Sequence, residues 1–377
     1  MHYFISAGEA SGDIHASRLI ADLKKADPEA VFTFLGGDLM AKEAGVDPLI
    51  HYREMAYMGF SEVIRNLNKV LGNLSIAKRS LHTLRPDALI LVDYPSFNLR
   101  LAETASKIGI PVFYYISPKV WAWKEGRVKK IKKYCRRVLS ILPFEVDFYK
   151  QKHGYDVDYV GNPTLAEVEE KKIYIKSKSG FCREYSLDPD KPILALVPGS
   201  RVGEIRNNLP VMVQVARRHD GMQAVIAGAP GIDSSIYQKY SDCKVVEDAT
   251  FELMAIADAA LVTSGTATLE CALLGTPQVA CYRSNGSRLV YSLFRRILKI
   301  PYVTLPNLIA DREVIPEMLL HHCNQAEVDA KLSSLLGSDG KAAAEQREGY
   351  DEIRRRLSSA RIPAAELIYR DLRSDKK

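Results

Sequence analysis

The sequence has no long apolar run and no cysteine pair of the kind that binds metal or builds a disulfide framework. Its six cysteines are scattered over 377 residues without a Cys-x-x-Cys motif, which favours reduced thiols in a cytosol. The most apolar stretch, 259–282, contains Glu270 and two glycines and lacks the pattern of a membrane span. The N-terminus has neither the basic nor the apolar region of a signal peptide. We expect a cytoplasmic protein that is soluble or bound peripherally to a membrane surface.

Several catalytic motifs are also absent. The eight histidines form no His-Glu-x-x-His motif, and no Gly-x-Ser-x-Gly motif is present. The loop at 6–17, SAGEASGDIHAS, lacks the lysine of a P-loop and the third glycine of a dinucleotide-binding motif. These absences argue against ATPases and dinucleotide-dependent enzymes. We expect no metal and no bound cofactor.

The net charge is small, but one segment accounts for it. Lys+Arg 52 against Asp+Glu 46 gives +6. Eight basic residues and one acid give +7 to residues 124–137, the basic segment, so the rest of the chain carries −1. A uniformly basic coat for nucleic acid is therefore excluded, and one concentrated site for anions is favoured.

The basic segment lies within a pattern that predicts an amphipathic helix over 120–138, with Val128, Ile131, Cys135 and Val138 on its apolar face. Most basic runs are solvated helix faces, but both tryptophans stand at the start of this one, as at membrane interfaces. The predicted membrane-facing residues are Trp121, Trp123, Arg127, Lys129, Lys130 and Lys133. Residues 292–302 have a similar character, and residues 57–60 form either an apolar lip or part of the core.

Short apolar runs alternate with helical patterns along most of the chain, which predicts βαβ units and mostly parallel sheets. The texture changes after Gly161 and the alternation resumes at residue 193. We predict an α/β protein with two doubly wound Rossmann-like domains facing a cleft. The predicted divisions are a first domain at 1–165, a linker at 166–191, a second domain at 192–337 and C-terminal helices at 338–377.

Glycine-containing turns follow strands in both halves. In the second half, PGSRVGEI (198–205) and SGTATLE (264–270) predict helix N-termini that hold a diphosphate, with Arg201 as a further donor and Glu270 beside a ribose hydroxyl. Two capped turns without a ligand are the alternative. The residues of these turns that are predicted to bind the nucleotide diphosphate are Gly199, Ser200, Arg201, Glu204, Gly265, Thr266, Ala267, Thr268 and Glu270.

The first half offers a loop and a carboxylate. Gly8, Ser11, Gly12 and Asp13 follow the first strand and predict either an anion-binding loop or an ordinary helix cap. Asp93 follows the strand-like run 87–93, where it is either a general base for a sugar hydroxyl or a turn residue.

Seven motifs stand in the order found in one enzyme family: AGEASGD (7–13), DYPSFN (93–98), SPKVWAW (117–123), PFEVDFY (143–149), PGSR (198–201), SGTATLE (264–270) and TLPNLIADRE (304–313). In these motifs the chain resembles the lipid-A-disaccharide synthases. The resemblance implies a GT-B-fold glycosyltransferase that needs no metal. It also implies transfer of 2,3-diacylglucosamine from UDP to the 6-hydroxyl of 2,3-diacylglucosamine 1-phosphate, with inversion and release of UDP, giving the β-1,6-linked lipid A disaccharide of Gram-negative bacteria.

The resemblance assigns roles by position. Asp93 matches the catalytic base, Arg201 matches an arginine at the donor diphosphate, and Asn307 lies on the UDP side. The chain departs from the family at Asn162, where histidine is usual, and at Ser96, where a second aspartate is usual. The first domain would then take the acceptor and lipid, and the second the UDP-sugar.

Three interpretations follow, with the transferase first. A UDP-GlcNAc 2-epimerase shares the nucleotide-sugar features but has no use for the tryptophans and the basic segment. A non-enzymatic adaptor for membranes or nucleic acid does not explain the phosphate-type turns. The expected partners are the two diacylglucosamine substrates and an anionic inner-membrane surface, with no nucleic acid. The C-terminal helices either return to the first domain or are exchanged within a homodimer.

Overall fold

A computed structural model describes residues 1–55, 67–283 and 301–374 of the chain. It contains two compact units, each built on a parallel sheet. Unit 1 comprises Met1–Pro163 with Ser359–Lys377, and unit 2 comprises Thr164–Ser358. None of the helices in the described ranges is long and apolar enough to cross a membrane.

Unit 1 contains a seven-stranded parallel sheet in the order β3-β2-β1-β4-β5-β6-β7. Its strands are β1 (His2–Ala7), β2 (Val31–Gly36), β3 (Ile50–His51), β4 (Ala88–Val92), β5 (Val112–Tyr115), β6 (Arg137–Ser140) and β7 (Asp158–Tyr159). All five residues of β4 are buried, as expected for a central strand covered on both faces. The helices are α1 (Ala10–Ala26), α2 (Asp38–Ala44), α3 (Leu67–Leu84), α4 (Pro95–Lys107), α5 (Val128–Tyr134) and α6 (Pro143–Asp147).

Unit 2 contains a six-stranded parallel sheet in the order β10-β9-β8-β11-β12-β13. Its strands are β8 (Ile193–Val197), β9 (Gln223–Gly228), β10 (Lys244–Glu247), β11 (Ala259–Thr263), β12 (Gln278–Tyr282) and β13 (Glu317–Leu319). The helices that precede or surround it are α7 (Pro163–Lys172), α8 (Lys178–Tyr185), α9 (Val202–Ala216), α10 (Ser235–Gln238), α11 (Thr250–Ile256), α12 (Thr266–Leu274), α13 (Leu305–Ala310), α14 (Gln325–Leu335) and α15 (Lys341–Leu357).

In both sheets the direction of winding reverses beside the first strand. β1 pairs with β2 on one side and β4 on the other, and β8 pairs with β9 and β11. Open parallel sheets bind ligands at the carboxyl ends of the strands at such a switch point. The loops that follow β1, β4, β8 and β11 are those that the sequence singles out. The topology therefore positions the predicted site residues within each unit.

The segment predicted as a linker, 166–191, has a different structure. It contains most of α7 and all of α8. Phe181 and Cys182 of α8 are buried in the core of unit 2 with residues of β8. The polar composition of the segment conceals this packing, because only a few apolar side chains are needed to attach a short helix to a sheet.

The predicted helix over 120–138 is also shorter than expected. Only Val128–Tyr134 is helical, and Arg137 already belongs to β6. Val128, Ile131 and Val138 are buried in the same core, although they come from a helix and a strand. A helical spacing of apolar residues does not distinguish these arrangements when the helix ends within the pattern.

The C-terminal region divides between the units. Helix α15 belongs to unit 2, where Gln346 Oε1 accepts the backbone N–H of Gln278 at 2.9 Å. The last helix, α16 (Ala364–Ser374), returns to unit 1 and packs Ile368 and Leu372 into the core beside α1. Both helices are predicted by the sequence, but only α16 packs on the N-terminal unit.

Candidate active-site residues

Asp93 lies in a constrained turn at the end of β4. Asp93 and Tyr94 both have positive φ angles, 43° and 44°. The Asp93 carbonyl accepts hydrogen bonds from Asn98 Nδ2 at 2.7 Å and Tyr114 Oη at 2.9 Å. Non-glycine residues adopt such φ values at a cost, and the surrounding bonds maintain them. These two bonds fix the backbone of the turn through the Asp93 carbonyl, while the Asp93 carboxylate interacts with the backbone N–H of Tyr94.

The surroundings of Asp93 raise the pKa of its carboxyl to about 6. Burial is the largest cause, and the negative charge of Glu9 adds to it. Lys119, the backbone N–H of Tyr94 and Arg127 act in the opposite direction. A carboxyl of this pKa is ionised at neutral pH and still accepts a proton readily, as a general base must.

A second carboxyl in the same unit, Glu145, was not singled out from the sequence. It is buried and accepts hydrogen bonds from Trp121 Nε1 at 2.8 Å and from Ser140 Oγ. Burial raises the pKa of Glu145 to about 7, although these two donors lower it. Trp121 also packs edge-on against Phe144. Trp121 is thus held by the protein, whereas Trp123 is half exposed and has Lys124 and Arg127 over its ring.

The loop after β1 is only partly available for a ligand. Position 8 requires glycine because the Tyr94 ring packs against it, and a Cβ there would lie 2.3 Å from that ring. Ser11 Oγ donates to Glu9 Oε1 at 2.7 Å, and Gly12 lies against Ala7. The carboxylate of Asp13 is buried and accepts the backbone N–H groups at the start of α2, those of Gly37, Leu39 and Met40, so the part of Asp13 in an anion-binding loop stays a prediction.

The basic segment has two structural parts. Lys129, Lys130 and Lys133 are exposed on α5, while Arg127 donates to Ser96 Oγ at 3.3 Å and lies over the Trp123 ring. Arg136 and Arg137, which end the segment, form ion pairs with Asp371 of α16. Residues 57–60, predicted as an apolar lip or part of the core, lie outside the described residues, as does the second predicted basic patch at 292–302 except for its last two residues.

In unit 2, the turn after β8 already binds a negatively charged oxygen. Glu204 Oε2 accepts the N–H of Ser200 at 3.0 Å, and Glu204 Oε1 lies 3.2 Å from Arg201 Nη1. Gly199 has a φ of 118°, and a Cβ there would lie 2.5 Å from Glu204 Oε2. The predicted donor residue Glu204 is therefore a partner of the turn. The exposed Arg201 guanidinium and the Ser200 amide are the groups that a phosphate would engage.

The turn after β11 leads into α12 through Gly265, where a Cβ would meet open space. Thr266 is exposed and Ala267 is partly buried at the helix N-terminus, where amides and the helix dipole favour an anion. Thr268 is buried and donates its hydroxyl to the Gly265 carbonyl at 2.7 Å, and its part in nucleotide binding stays a prediction.

Asn208 of α9 connects the two turns and was missed by sequence reasoning. Its buried side chain donates to Pro198 O at 3.3 Å and to Thr263 Oγ1 at 3.1 Å, and its oxygen accepts the N–H of Arg283. These bonds hold the ends of β8 and β11 beside each other. An asparagine inside a helical pattern gives no distinctive sequence signal, because its partners are far away in the chain.

Glu270 lines a cavity of about 230 Å³ in unit 2. Burial and the charge of Glu167 raise the pKa of the Glu270 carboxyl, whereas Lys171 lowers it. The amide of Asn307 is fully buried; it donates to Ile315 O and Glu317 Oε1 and accepts from the N–H groups of Val314 and Ile315. Its place on the UDP side stays a prediction.

Among the residues described, no group of three or more histidine, cysteine or acidic side chains is arranged to hold a metal ion. The groups predicted to act in catalysis and nucleotide binding are carboxylates, amides and one arginine. They form two sets, one at the switch point of each sheet.

Solved structures of low sequence identity share this fold. A calicheamicin glycosyltransferase, CalG4, has a TM-score of 0.61 at 13% identity, covering 100% of this chain and 98% of its own. MurG of Acinetobacter baumannii has a TM-score of 0.56 at 14% identity, covering 99% of each chain. A UDP-GlcNAc 2-epimerase from Neisseria meningitidis, bound to UDP-GlcNAc, has a TM-score of 0.61 at 12% identity, covering 99% and 100%. The fold is therefore of the GT-B type, which both transferases and epimerases use.

Sequence relatives distinguish these possibilities. A family described as lipid-A-disaccharide synthetase matches residues 3–370. The lipid-A-disaccharide synthase of Myxococcus xanthus is 39% identical over 97% of this chain and 96% of its own, and that of Syntrophus aciditrophicus is 39% identical over 91% and 90%. With a match over nearly its whole length and a GT-B fold, the chain belongs to the lipid-A-disaccharide synthase family of hexosyltransferases.

Proposed function

We propose that this protein transfers 2,3-diacylglucosamine from its UDP derivative to the 6-hydroxyl of 2,3-diacylglucosamine 1-phosphate, with inversion at the anomeric carbon. Unit 1 takes the acceptor and unit 2 takes the donor in this account. The observation that carries the proposal is the Asp93 carboxylate at the end of β4, with a pKa of about 6 and cationic groups beside it.

The base step uses groups of unit 1. The ionised Asp93 carboxylate takes the proton of the acceptor 6-hydroxyl as its oxygen attacks the anomeric carbon of the donor. Lys119 and Arg127, which favour the ionised form of Asp93, also suit the acceptor phosphate. Ser96 stands where the family usually has a second aspartate, so Asp93 is the acid of its motif that performs this step.

The leaving group is stabilised by groups of unit 2. As the bond between the anomeric carbon and UDP breaks, negative charge develops on the diphosphate. Arg201, the Ser200 amide and the N-terminus of α12 are fixed donors for this charge. Glu204 already shows that the turn at 198–201 binds a carboxylate, and a phosphate would replace it. Glu270 accepts a hydrogen bond from a ribose hydroxyl.

Replacement of Asp93 by alanine tests the base assignment. Transfer should fall by at least about a hundredfold, because general-base catalysis contributes that much. UDP binding and the circular dichroism spectrum should remain close to wild type, since the hydrogen bonds from Asn98 and Tyr114 that hold the turn go to the Asp93 carbonyl and not to its carboxylate. Turnover near the wild-type rate would refute the assignment.

The lipid substrates require contact with a membrane, and we propose that α5 and Trp123 provide it at the anionic inner face of the cytoplasmic membrane. Their exposed lysines and half-exposed indole suit anionic headgroups. The variant Lys129/Lys130/Lys133→Ser should sediment less with vesicles that contain anionic lipid. Lys341/Lys331→Ser, which removes charge from unit 2, is the control. If both variants sediment equally with the vesicles, α5 is an ordinary solvated surface and not a membrane contact.

A further inference from the structure

Helix α12, whose N-terminal amides are proposed to face the diphosphate, is tied to the start of β12 by a buried glutamine. Gln278 is the first residue of β12, and its side chain is fully buried. Its Nε2 donates to the carbonyl of Thr268 in the first turn of α12 at 2.9 Å. The hydroxyl of Thr268 in turn donates to the carbonyl of Gly265, the residue before the helix. Gln278 therefore holds α12 at the turn whose amides are offered to a ligand.

The backbone of Gln278 is held by a different element, α15. The side-chain amide of Gln346 accepts the backbone N–H of Gln278 at 2.9 Å and donates to its carbonyl at 3.0 Å. These two bonds join α15 to β12 whatever side chain residue 278 carries. Apart from a long contact of Nε2 with the Tyr350 hydroxyl, at 3.5 Å, the bond to Thr268 is the polar contribution of the Gln278 side chain.

The side-chain amide of Gln278 is satisfied at one end only. Its Oε1 is buried without a hydrogen-bond partner among the described residues. Turning the amide over would bring this oxygen to the Thr268 carbonyl, where neither group has a hydrogen to donate. An unpaired buried oxygen costs free energy, and an apolar side chain of similar size would avoid that cost. Stability alone therefore does not explain a glutamine at this position.

We propose that Gln278 is a positioning residue for donor binding, which fixes the first turn of α12 so that the amides of Thr266 and Ala267 meet the diphosphate of the UDP-sugar. The inference rests on the proposed function, because it takes UDP to bind at the N-terminus of α12. The buried Gln278 side chain acts through this helix and not on the substrate. It gives a role in the reaction to a residue that no sequence motif singles out.

Gln278→Met, which keeps the length of the side chain without its amide, tests the inference. The unpaired oxygen disappears together with the bond to Thr268, so the midpoint of thermal unfolding should stay within about 3 °C of the wild type. The Kd for UDP, measured by calorimetry, should rise about fivefold to tenfold, because a small displacement of α12 weakens several hydrogen bonds to the ligand at once. The KM for the acceptor, which unit 1 is proposed to bind, should not change.

Asp329→Ala is the control for a loss of stability in unit 2. The Asp329 carboxylate is bonded to Arg218 and His219, which follow the C-terminal end of α9, so its removal should lower the unfolding midpoint and leave the Kd for UDP unchanged. A Kd in Gln278→Met that equals the wild-type value, or that rises no more than in Asp329→Ala, would overturn the inference. A wild-type protein that does not bind UDP would instead overturn the proposed function.

Discussion

Among single residues, burial and neighbouring charges give Asp93 the pKa that its proposed role as a base requires. Its pKa of about 6 reflects burial and the charge of Glu9 on one side, and Lys119 and Arg127 on the other. A base must be ionised before it acts, so the proposed activity is present above about pH 6 and is lost as the pH falls through that value.

Charge-removing variants should move this acidic limit in opposite directions. Glu9→Gln removes a negative charge and should lower the pKa of Asp93, which extends activity to lower pH. Lys119→Met removes a positive charge and should raise the pKa of Asp93. The measurement is kcat/KM against pH, with shifts of about half a pH unit expected. Lys129→Met, on the exposed face of α5, serves as the control. An acidic limit that does not move in either variant would contradict the role of Asp93.

Two predicted site residues have polar groups that already have partners within the protein. The Asp13 carboxylate accepts backbone N–H groups, and the Asn307 amide binds backbone groups and the Glu317 carboxylate. In Asp13 the partners begin a helix 24 or more residues away. A motif gives the residue type, whereas only the fold determines which polar groups are left for a ligand.

At the level of elements, the loop at 117–124 is held to the core by one buried carboxyl. Glu145 accepts hydrogen bonds from Trp121 in the loop and from Ser140 at the end of β6. The loop carries Lys119, which acts on Asp93, and precedes the basic segment. Glu145 therefore links the candidate base to the region proposed to meet the membrane.

Replacement of Glu145 by alanine should release this loop. The partly buried Trp121 N–H loses its acceptor and the buried Ser140 hydroxyl keeps only the Leu142 carbonyl, so the free energy of unfolding should fall by about 2 kcal/mol. In a Trp123→Phe background, Trp121 emission should shift to longer wavelength as its ring meets water. Glu145→Gln keeps an acceptor oxygen. Its emission wavelength and its free energy of unfolding should lie between those of the wild type and those of the alanine variant. Unchanged emission and stability in the alanine variant would show that the loop does not depend on this bond.

Elements were predictable to different degrees. The strands followed from apolar runs such as 87–93, because buried parallel strands have little else in their sequence. Helices with an apolar face, such as α15 and α16, also followed. The length of α5 and the attachment of α8 did not, because both depend on contacts with distant strands. The switch-point loops were predictable as motifs, but Asn208, which joins two of them, was not.

For the molecule as a whole, the C-terminal helix and the basic segment stabilise each other. Asp371 of α16 is buried and pairs with Arg136 and Arg137. The charge excess seen in the sequence therefore has two uses. Its last two arginines hold the final helix on unit 1, and its lysines remain exposed for the proposed membrane contact.

Asp371→Ala should loosen α16. The side chain of Asp371 is 5% exposed, whereas its arginine partners are 34% and 41% exposed, so we expect a loss of about 2 kcal/mol in the free energy of unfolding. Limited proteolysis should become faster within 359–374. Glu366→Ala, which breaks the exposed pair with Arg370, should cost less than about 1 kcal/mol. Equal effects of the two substitutions would argue against this role for Asp371.

The most direct test of the whole account is the reaction itself. Purified protein is incubated with UDP-2,3-diacylglucosamine and 2,3-diacylglucosamine 1-phosphate, and both products are quantified, with NMR of the new linkage. The account predicts a β-1,6-linked disaccharide 1-phosphate and UDP in equal amounts, without added metal. An α linkage would contradict inversion, and consumption of the donor without disaccharide would contradict the proposed transfer.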